Sequence, residues 1–185
     1  MGILRQLAYQ PASSESRLVK ACRAGNRRAQ RTLYDQYKVA MFTLAMRLLN
    51  HREEAEDALQ EGFVKVFKSI DSFREESSLG AWIKTIVTRT CISRLKKRLR
   101  LQEQTMEGIE VSVNWDANLT GEVLQRAIAA LPDGYRTVFV MVEIEGYSHQ
   151  EVADLLEVSV VTSRSQLFHA KRKLQQALRG YYYSS

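Results

Sequence analysis

The chain has 185 residues, of which 45% are hydrophobic and 26% charged, with a formal net charge of +6. That length suits one medium domain or two small ones, and the apolar share excludes a wholly disordered chain. The positive balance permits attraction to a polyanion and leaves the placement of charge to decide. No apolar run approaches the roughly 20 residues of a membrane span, and none resembles a signal peptide, so no direct membrane insertion and a cytoplasmic location are expected. Cys22 and Cys91 lie far apart, each inside a helical pattern, and read as buried free thiols.

Residues 1–16 read as a flexible lead. Helices are expected from Arg17 to Arg100. "RLVKACRAG" gives a short one closed by Gly25. In "RAQRTLYDQYKVAMFTLAMRLL", Leu33, Tyr37, Met41, Leu44 and Leu48 recur at three or four residues, and Asn50 marks a break. "REEAEDALQEGFVKVFKSI" aligns Ala55, Leu59, Phe63, Val66, Phe67 and Ile70 on one side; Gly62 weakens this helix without breaking it. "DSFREESS" is a loop in which Ser77 or Ser78 caps the next helix. That helix buries Leu79, Ile83, Ile86, Val87 and Leu95, and it ends in the run "RLKKRLR".

Residues 101–118 change character. Glu103, Glu107, Glu110 and Asp116 follow one another without an intervening Lys or Arg, which reads as an acidic linker. A short strand at "IEVSV" is the alternative. A second helical domain is expected over 119–180, with a flexible tail at 181–185. It holds "TGEVLQRAIAAL", then a helix opened by Pro132 whose core candidates are Val138, Phe139 and Val142, closed by Gly146. The fold class is therefore all-α: two small helical domains joined by an acidic flexible linker, the second containing a helix-turn-helix.

The helix-turn-helix lies in "SHQEVADLLEVSVVTSRSQLFHAKRKLQQAL". Ser148 and Glu151 have capping-box spacing, the turn falls at Glu157, and Ser159 is placed to cap the second helix. Such a second helix can occupy a DNA major groove. Thr162, Ser163, Arg164 and Gln166, near its start, carry side chains suited to base edges or phosphates, and Lys171 suits the DNA backbone. The alternative is a helical hairpin with a solvated basic face.

The helix "WIKTIVTRTCISRLKKRLR" carries no acidic residue. Trp82 beside Lys84 and Arg89 can form a stacking platform with an electrostatic funnel for single-stranded nucleic acid. Equally, Trp82 can be a core aromatic beneath a solvated face. The preceding helix has the opposite sign at Glu53, Glu54, Glu56, Asp57 and Glu61, which repels nucleic acid and suits a basic protein surface.

Enzyme chemistry finds no support in the pattern. His51, His149 and His169 are isolated, "HREEAED" lacks the second histidine of a metal-binding helix, and no Gly-rich phosphate loop occurs. No catalytic residue, metal or cofactor is expected.

In order and length, the fragments "AEDALQEGFVKVFKSIDSF", "ESSLGAWIKTIVTRTCISRLKK" and "LPDGYRTVFVMVEIEGYSHQEVADLL" resemble the bacterial extracytoplasmic-function sigma factors of RNA polymerase. The resemblance implies docking on core RNA polymerase through Asp57, Gln60, Glu61 and Phe63. It also implies capture of an exposed promoter strand by the loop Phe73–Ser78, hence by Phe73, Ser77, Ser78 and the following helix with Trp82, Lys84 and Arg89. The C-terminal unit would read upstream promoter DNA as duplex, and the subunit would favour strand opening by binding alone. Family members commonly have an anti-sigma protein as partner. Departures from the family pattern are Arg89 for a frequent Asn, Ser93 for Asp, Glu157 for Gly at the turn, Val161 for Gly, Ser163 for Val and Gln166 for Arg. The competing function is a stand-alone helix-turn-helix regulator binding duplex DNA.

Overall fold

A computed structural model of the chain describes residues 13–104 and 121–182. Its elements are α1 (Ser13–Arg23), α2 (Arg27–Leu49), α3 (Arg52–Ser69), a short 3-10 turn (Ile70–Ser72) and α4 (Leu79–Gln104). They continue with α5 (Gly121–Ala129), α6 (Asp133–Phe139), a π-helical segment (Val140–Ile144), α7 (His149–Leu156) and α8 (Val160–Tyr182). Every described element is helical, as the periodicity predicts. α1 begins at Ser13, ahead of the expected boundary at Arg17, and α4 runs on through Gln104 into the expected linker. The rest of the acidic stretch, with the "IEVSV" alternative, lies outside the described residues.

Helix ends follow local chemistry. Gly25, at φ +71°, closes α1 where a left-handed residue is needed. Asn26 then caps α2, its Oδ1 accepting from the backbone N–H groups of Arg28 at 2.9 Å and Ala29 at 3.1 Å. Asn50, at φ +53°, ends the same helix.

The described residues form two compact units, one built from 13–45 and 53–91, the other from 46–52, 92–104 and 121–182. The first buries Val19, Leu33, Met41 and Leu44 with Ala55, Leu59, Phe63, Val66, Leu79, Ile83 and Val87. Each large aliphatic side chain so buried contributes about 1.5–3 kcal/mol. Gly62 has a packing purpose: a Cβ there would lie 3.0 Å from Val87 Cγ2, so its absence lets α3 and α4 close on one another. Ile86, an expected core residue, is only half-buried. Cys22 and Cys91 are buried and form no disulfide.

The second unit buries Val123, Ala127, Ile128, Leu131, Val138, Val140, Met141, Val152, Leu167, Ala170 and Leu174. Phe139 and Val142, expected in this core, are half-buried, and Val140 and Met141 take the inward positions. Val140 and Met141 open a π-helical segment, and Val142 lies within its wider turn. Arg136 is 2% exposed and bonds to Asp133, to the Leu131 carbonyl at 2.9 Å and to the Leu48 carbonyl at 3.4 Å. Burial lowers the Arg136 pKa while Asp133 raises it again. Asp133 also accepts from Arg98 at 2.7 Å, and Arg98 donates to the Leu49 carbonyl at 3.1 Å. One carboxylate thus neutralises two guanidiniums inside this unit.

Candidate nucleic-acid and polymerase interface

The surface of α3 changes sign along its length. Its first half carries Glu53 and Asp57 in the open, with Glu54 and Glu56 half-buried; its second half exposes Lys65 and Lys68. Acidic residues early and basic residues late also suit the helix dipole. Of the four expected polymerase contacts, Asp57 and Gln60 are exposed and Glu61 is half-buried, engaged by Lys65 at 2.8 Å. Phe63 is placed otherwise. It is 3% exposed, with its ring 4.8 Å from that of Tyr34 in an edge contact, so it supports the acidic face from beneath. The signal was available, because Phe63 shares the spacing of Leu59 and Val66.

The loop after the 3-10 turn divides similarly. Phe73, expected at the promoter surface, is 3% exposed and holds the half-buried Trp82 ring at 5.2 Å. Trp82 thus packs on a buried aromatic while remaining partly accessible. Ser78 caps α4, its Oγ accepting from Ala81 N–H at 3.1 Å, whereas Ser77 is exposed. Lys84 is half-buried and already partnered.

Arg89 is exposed and borders a shallow pocket of about 470 Å³ between α3 and α4, lined also by Lys65, Lys68, Ser69, Ile86 and Thr90. Lys65 donates to Thr90 Oγ1 at 3.3 Å. The half-buried Ile86 adds an apolar side chain to the lining of this cationic pocket. Lys65 and Lys68 escape a reading that assigns α3 to protein alone; their spacing from the acidic turn was the available clue.

The helix-turn-helix has the expected frame. Ser148 Oγ accepts from Glu151 N–H at 3.2 Å, and Glu151 accepts from Ser148 N–H at 2.7 Å, completing the capping box. These donors lower the Glu151 pKa. Glu157 takes the left-handed conformation at φ 58°, ψ 42°, the turn at which a glycine is unstrained. Ser159 Oγ accepts from Thr162 N–H at 2.9 Å and shares a bond with the Thr162 hydroxyl at 2.8 Å.

Its outward face differs from the expected one. Arg164 and Lys171 are exposed, Lys171 in an ion pair with Glu143 at 2.8 Å. Ser163, expected outside, is 0% exposed with Oγ 2.9 Å from His149 Nδ1, because it falls on the stripe of Leu167 and Ala170. Gln166 is turned toward α6, its Nε2 3.3 Å from where a Cβ on Gly134 would stand. The open face is instead Val161, Arg164, Ser165, Phe168 and Arg172, at helical spacing, with Val161 74% and Phe168 63% exposed. Choosing by polarity alone passes over the apolar Val161 and Phe168, whereas Ser165 is set apart from Ser163 only by helical face.

Among the described residues no group of His, Cys, Asp and Glu could hold a metal ion, and no helix is long and apolar enough to cross a membrane.

Comparison with known proteins decides the family. The model of sigma-70 region 2 matches residues 33–101, and that of sigma-70 region 4 matches residues 121–174. The chain is 29% identical over 177 residues to the ECF RNA polymerase sigma factor SigW of Bacillus subtilis, spanning 87% of this chain and 95% of the relative. The chain belongs to the extracytoplasmic-function sigma factors. The RNA polymerase sigma-H factor of Pseudomonas aeruginosa is 27% identical over 180 residues, covering 89% and 93% of the two chains. Two solved structures share the fold. The sigma factor RpoE of Bartonella quintana, in complex with the anti-sigma factor NepR, matches with a TM-score of 0.55 at 23% identity, over 80% of this chain and 96% of the other. CnrH, in complex with the cytosolic domain of CnrY, matches with a TM-score of 0.53 at 22% identity, over 91% and 99%.

As a sigma factor, the protein directs promoter recognition by RNA polymerase and is not itself an enzyme. Region 2 spans the sign change on α3, the loop and the cationic pocket; region 4 spans the helix-turn-helix. The geometry of this sigma factor's surfaces therefore bears on which residues do which part of that work.

Proposed function

We propose that this sigma factor divides promoter opening among three surfaces. The acidic half of α3, with Asp57, Gln60 and Glu61, docks on core RNA polymerase. The loop Phe73–Ser78 with the partly accessible Trp82 captures a base of the separated downstream strand, and the pocket of Lys65, Lys68 and Arg89 holds the neighbouring backbone. On α8, Val161, Arg164, Ser165 and Phe168 face the upstream duplex, where Arg can read guanine and apolar side chains can meet thymine methyl groups.

The observation that carries this reading is the sign reversal along α3. A single helix offers carboxylates to one partner and ammonium groups to another, which suits a protein held between polymerase and DNA. Binding to an extruded base offsets the few kcal/mol of unstacking, so opening needs no covalent chemistry by this chain. An anti-sigma protein is a further proposed partner, supported by the complex with the anti-sigma factor NepR in which one structural relative was solved.

Transcription from a fragmented genomic library, with bacterial core polymerase alone and with this chain added, tests the reading. Discrete new start sites should appear, preceded by two shared sequence elements. Duplex binding without any altered initiation would favour the stand-alone regulator.

A further inference from the structure

The proposed strand-capturing loop is held from outside by α1, at three successive points. Where the loop begins, the Arg23 guanidinium donates to the Ile70 carbonyl at 3.3 Å through Nε and to the Phe73 carbonyl through Nη2. Midway, Ser16 Oγ donates to Glu75 Oε2 at 2.8 Å. Where it ends, Glu15 Oε1 accepts the backbone N–H of Leu79 at 2.7 Å. That N–H is one of the four at the start of α4 that the helix itself leaves unpaired, and Ser78 satisfies another at Ala81.

These contacts are not core packing. Arg23 is exposed, and Glu15 and Ser16 are half-buried; the apolar seat of α1 is made by Val19 and Cys22, at 0% and 2% exposure. Nor does the loop hold this shape for free. Glu75 sits at φ +59°, a left-handed conformation that is unfavourable for a residue with a Cβ. It persists with its carboxylate tied to Ser16. Between the tied points, Arg74, Glu76 and Ser77 remain exposed.

We infer that α1 is a preorganising clamp, in which Glu15, Ser16 and Arg23 are positioning residues that set the loop for strand capture before DNA arrives. The inference rests on the strand-capture reading of the loop. Its physical content is a population: an unclamped loop samples other shapes, and apparent affinity falls by the fraction that stays competent. If release leaves about one molecule in ten competent, strand affinity drops about tenfold.

The test uses the full chain bound to core polymerase. Its probe is a fluorescent single-stranded oligonucleotide carrying the downstream element of a promoter mapped as above. Glu15→Gln, Ser16→Ala and Arg23→Met are compared with Arg23→Lys and Ser16→Thr, which retain a donor, and with Trp82→Ala as a loop-face control. The clamp predicts strand affinity about tenfold weaker in Arg23→Met. It also predicts partial recovery in Arg23→Lys and faster amide exchange confined to residues 73–79. Melting temperature and assembly with polymerase should be unchanged. If Trp82→Ala weakens capture while the α1 variants bind as tightly as the parent, the clamp is wrong and the capture reading stands. If Trp82→Ala leaves strand binding unchanged, the capture reading falls and the clamp falls with it. A general loss of melting temperature, with exchange raised throughout the first unit, would mark α1 as ordinary packing and overturn the inference.

Discussion

Ser163 Oγ lies 2.9 Å from Nδ1 of His149, buried inside the helix-turn-helix, although Ser163 neighbours the exposed Arg164 in sequence. Ser163 and Arg164 are therefore separable, the first bonded inside the unit and the second, on the proposed reading, free to meet the upstream duplex. Ser163→Ala removes one hydrogen bond and should lower stability by about 1 kcal/mol. Arg164→Ala should barely change stability and weaken specific upstream-duplex binding by about tenfold, in the range of a lost bidentate base contact. Thermal unfolding and duplex titration of both variants check this. Stronger loss of duplex binding in Ser163→Ala than in Arg164→Ala would reverse the assignment.

Glu157 is expected to be a point of stored strain. A non-glycine residue in the left-handed region costs about 1 kcal/mol, and Glu157 holds that conformation at the end of α7. Its ion pair with Lys96, at 3.0 Å, offers little in return because the Glu157 side chain is 72% exposed. Glu157→Gly should thus raise stability by about 0.5–1 kcal/mol, which chemical denaturation can measure. Destabilisation instead would show that the Lys96 pair outweighs the backbone term.

Helices were legible because they depend on near neighbours. The Ser148–Glu151 box, the Ser159 cap and the breaks at Gly25 and Asn50 each follow from a few adjacent residues, and all occur as expected. The direction of particular side chains was harder. Phe63, Phe73 and Ser163 belong by type to a working surface and by spacing to the core, and spacing prevailed at each. Val140 and Met141 are buried where Phe139 and Val142 were expected, and no local signal announced the π-helical turn that begins at Val140. The Arg23 and Glu15 contacts to the loop span 50 and 64 residues of sequence, beyond any local pattern.

The cationic pocket should appear in the salt dependence of strand binding. For single strands, each neutralised phosphate contributes about 0.7 to the slope of log K against log salt. Lys68→Gln and Arg89→Asn should each reduce that slope by about 0.7, with affinity converging on the parent value at high salt. Lys171→Gln, on α8, should leave the slope for the downstream strand unchanged. The measurement is a fluorescence titration of labelled single strand against holoenzyme at several salt concentrations. An unchanged slope in both pocket variants would remove Lys68 and Arg89 from the strand path.

Asp133 should be more sensitive to substitution than its partner Arg98. Its carboxylate accepts from Arg98 at 2.7 Å and also from Arg136, which is 2% exposed and also donates to the Leu131 and Leu48 carbonyls. Arg98→Met leaves the Arg136 pair in place and should cost about 1–2 kcal/mol. Asp133→Asn removes the charge facing both guanidiniums and leaves the buried one uncompensated, a situation that costs about 3–5 kcal/mol. The sign of the Arg136 pKa shift agrees: burial pulls it down, and the adjacent Asp133 charge opposes that pull. Denaturant unfolding of the two variants should therefore separate them by at least about 1 kcal/mol, with Asp133→Asn the weaker protein. Equal stabilities would mean that water, rather than Asp133, balances the charge on Arg136.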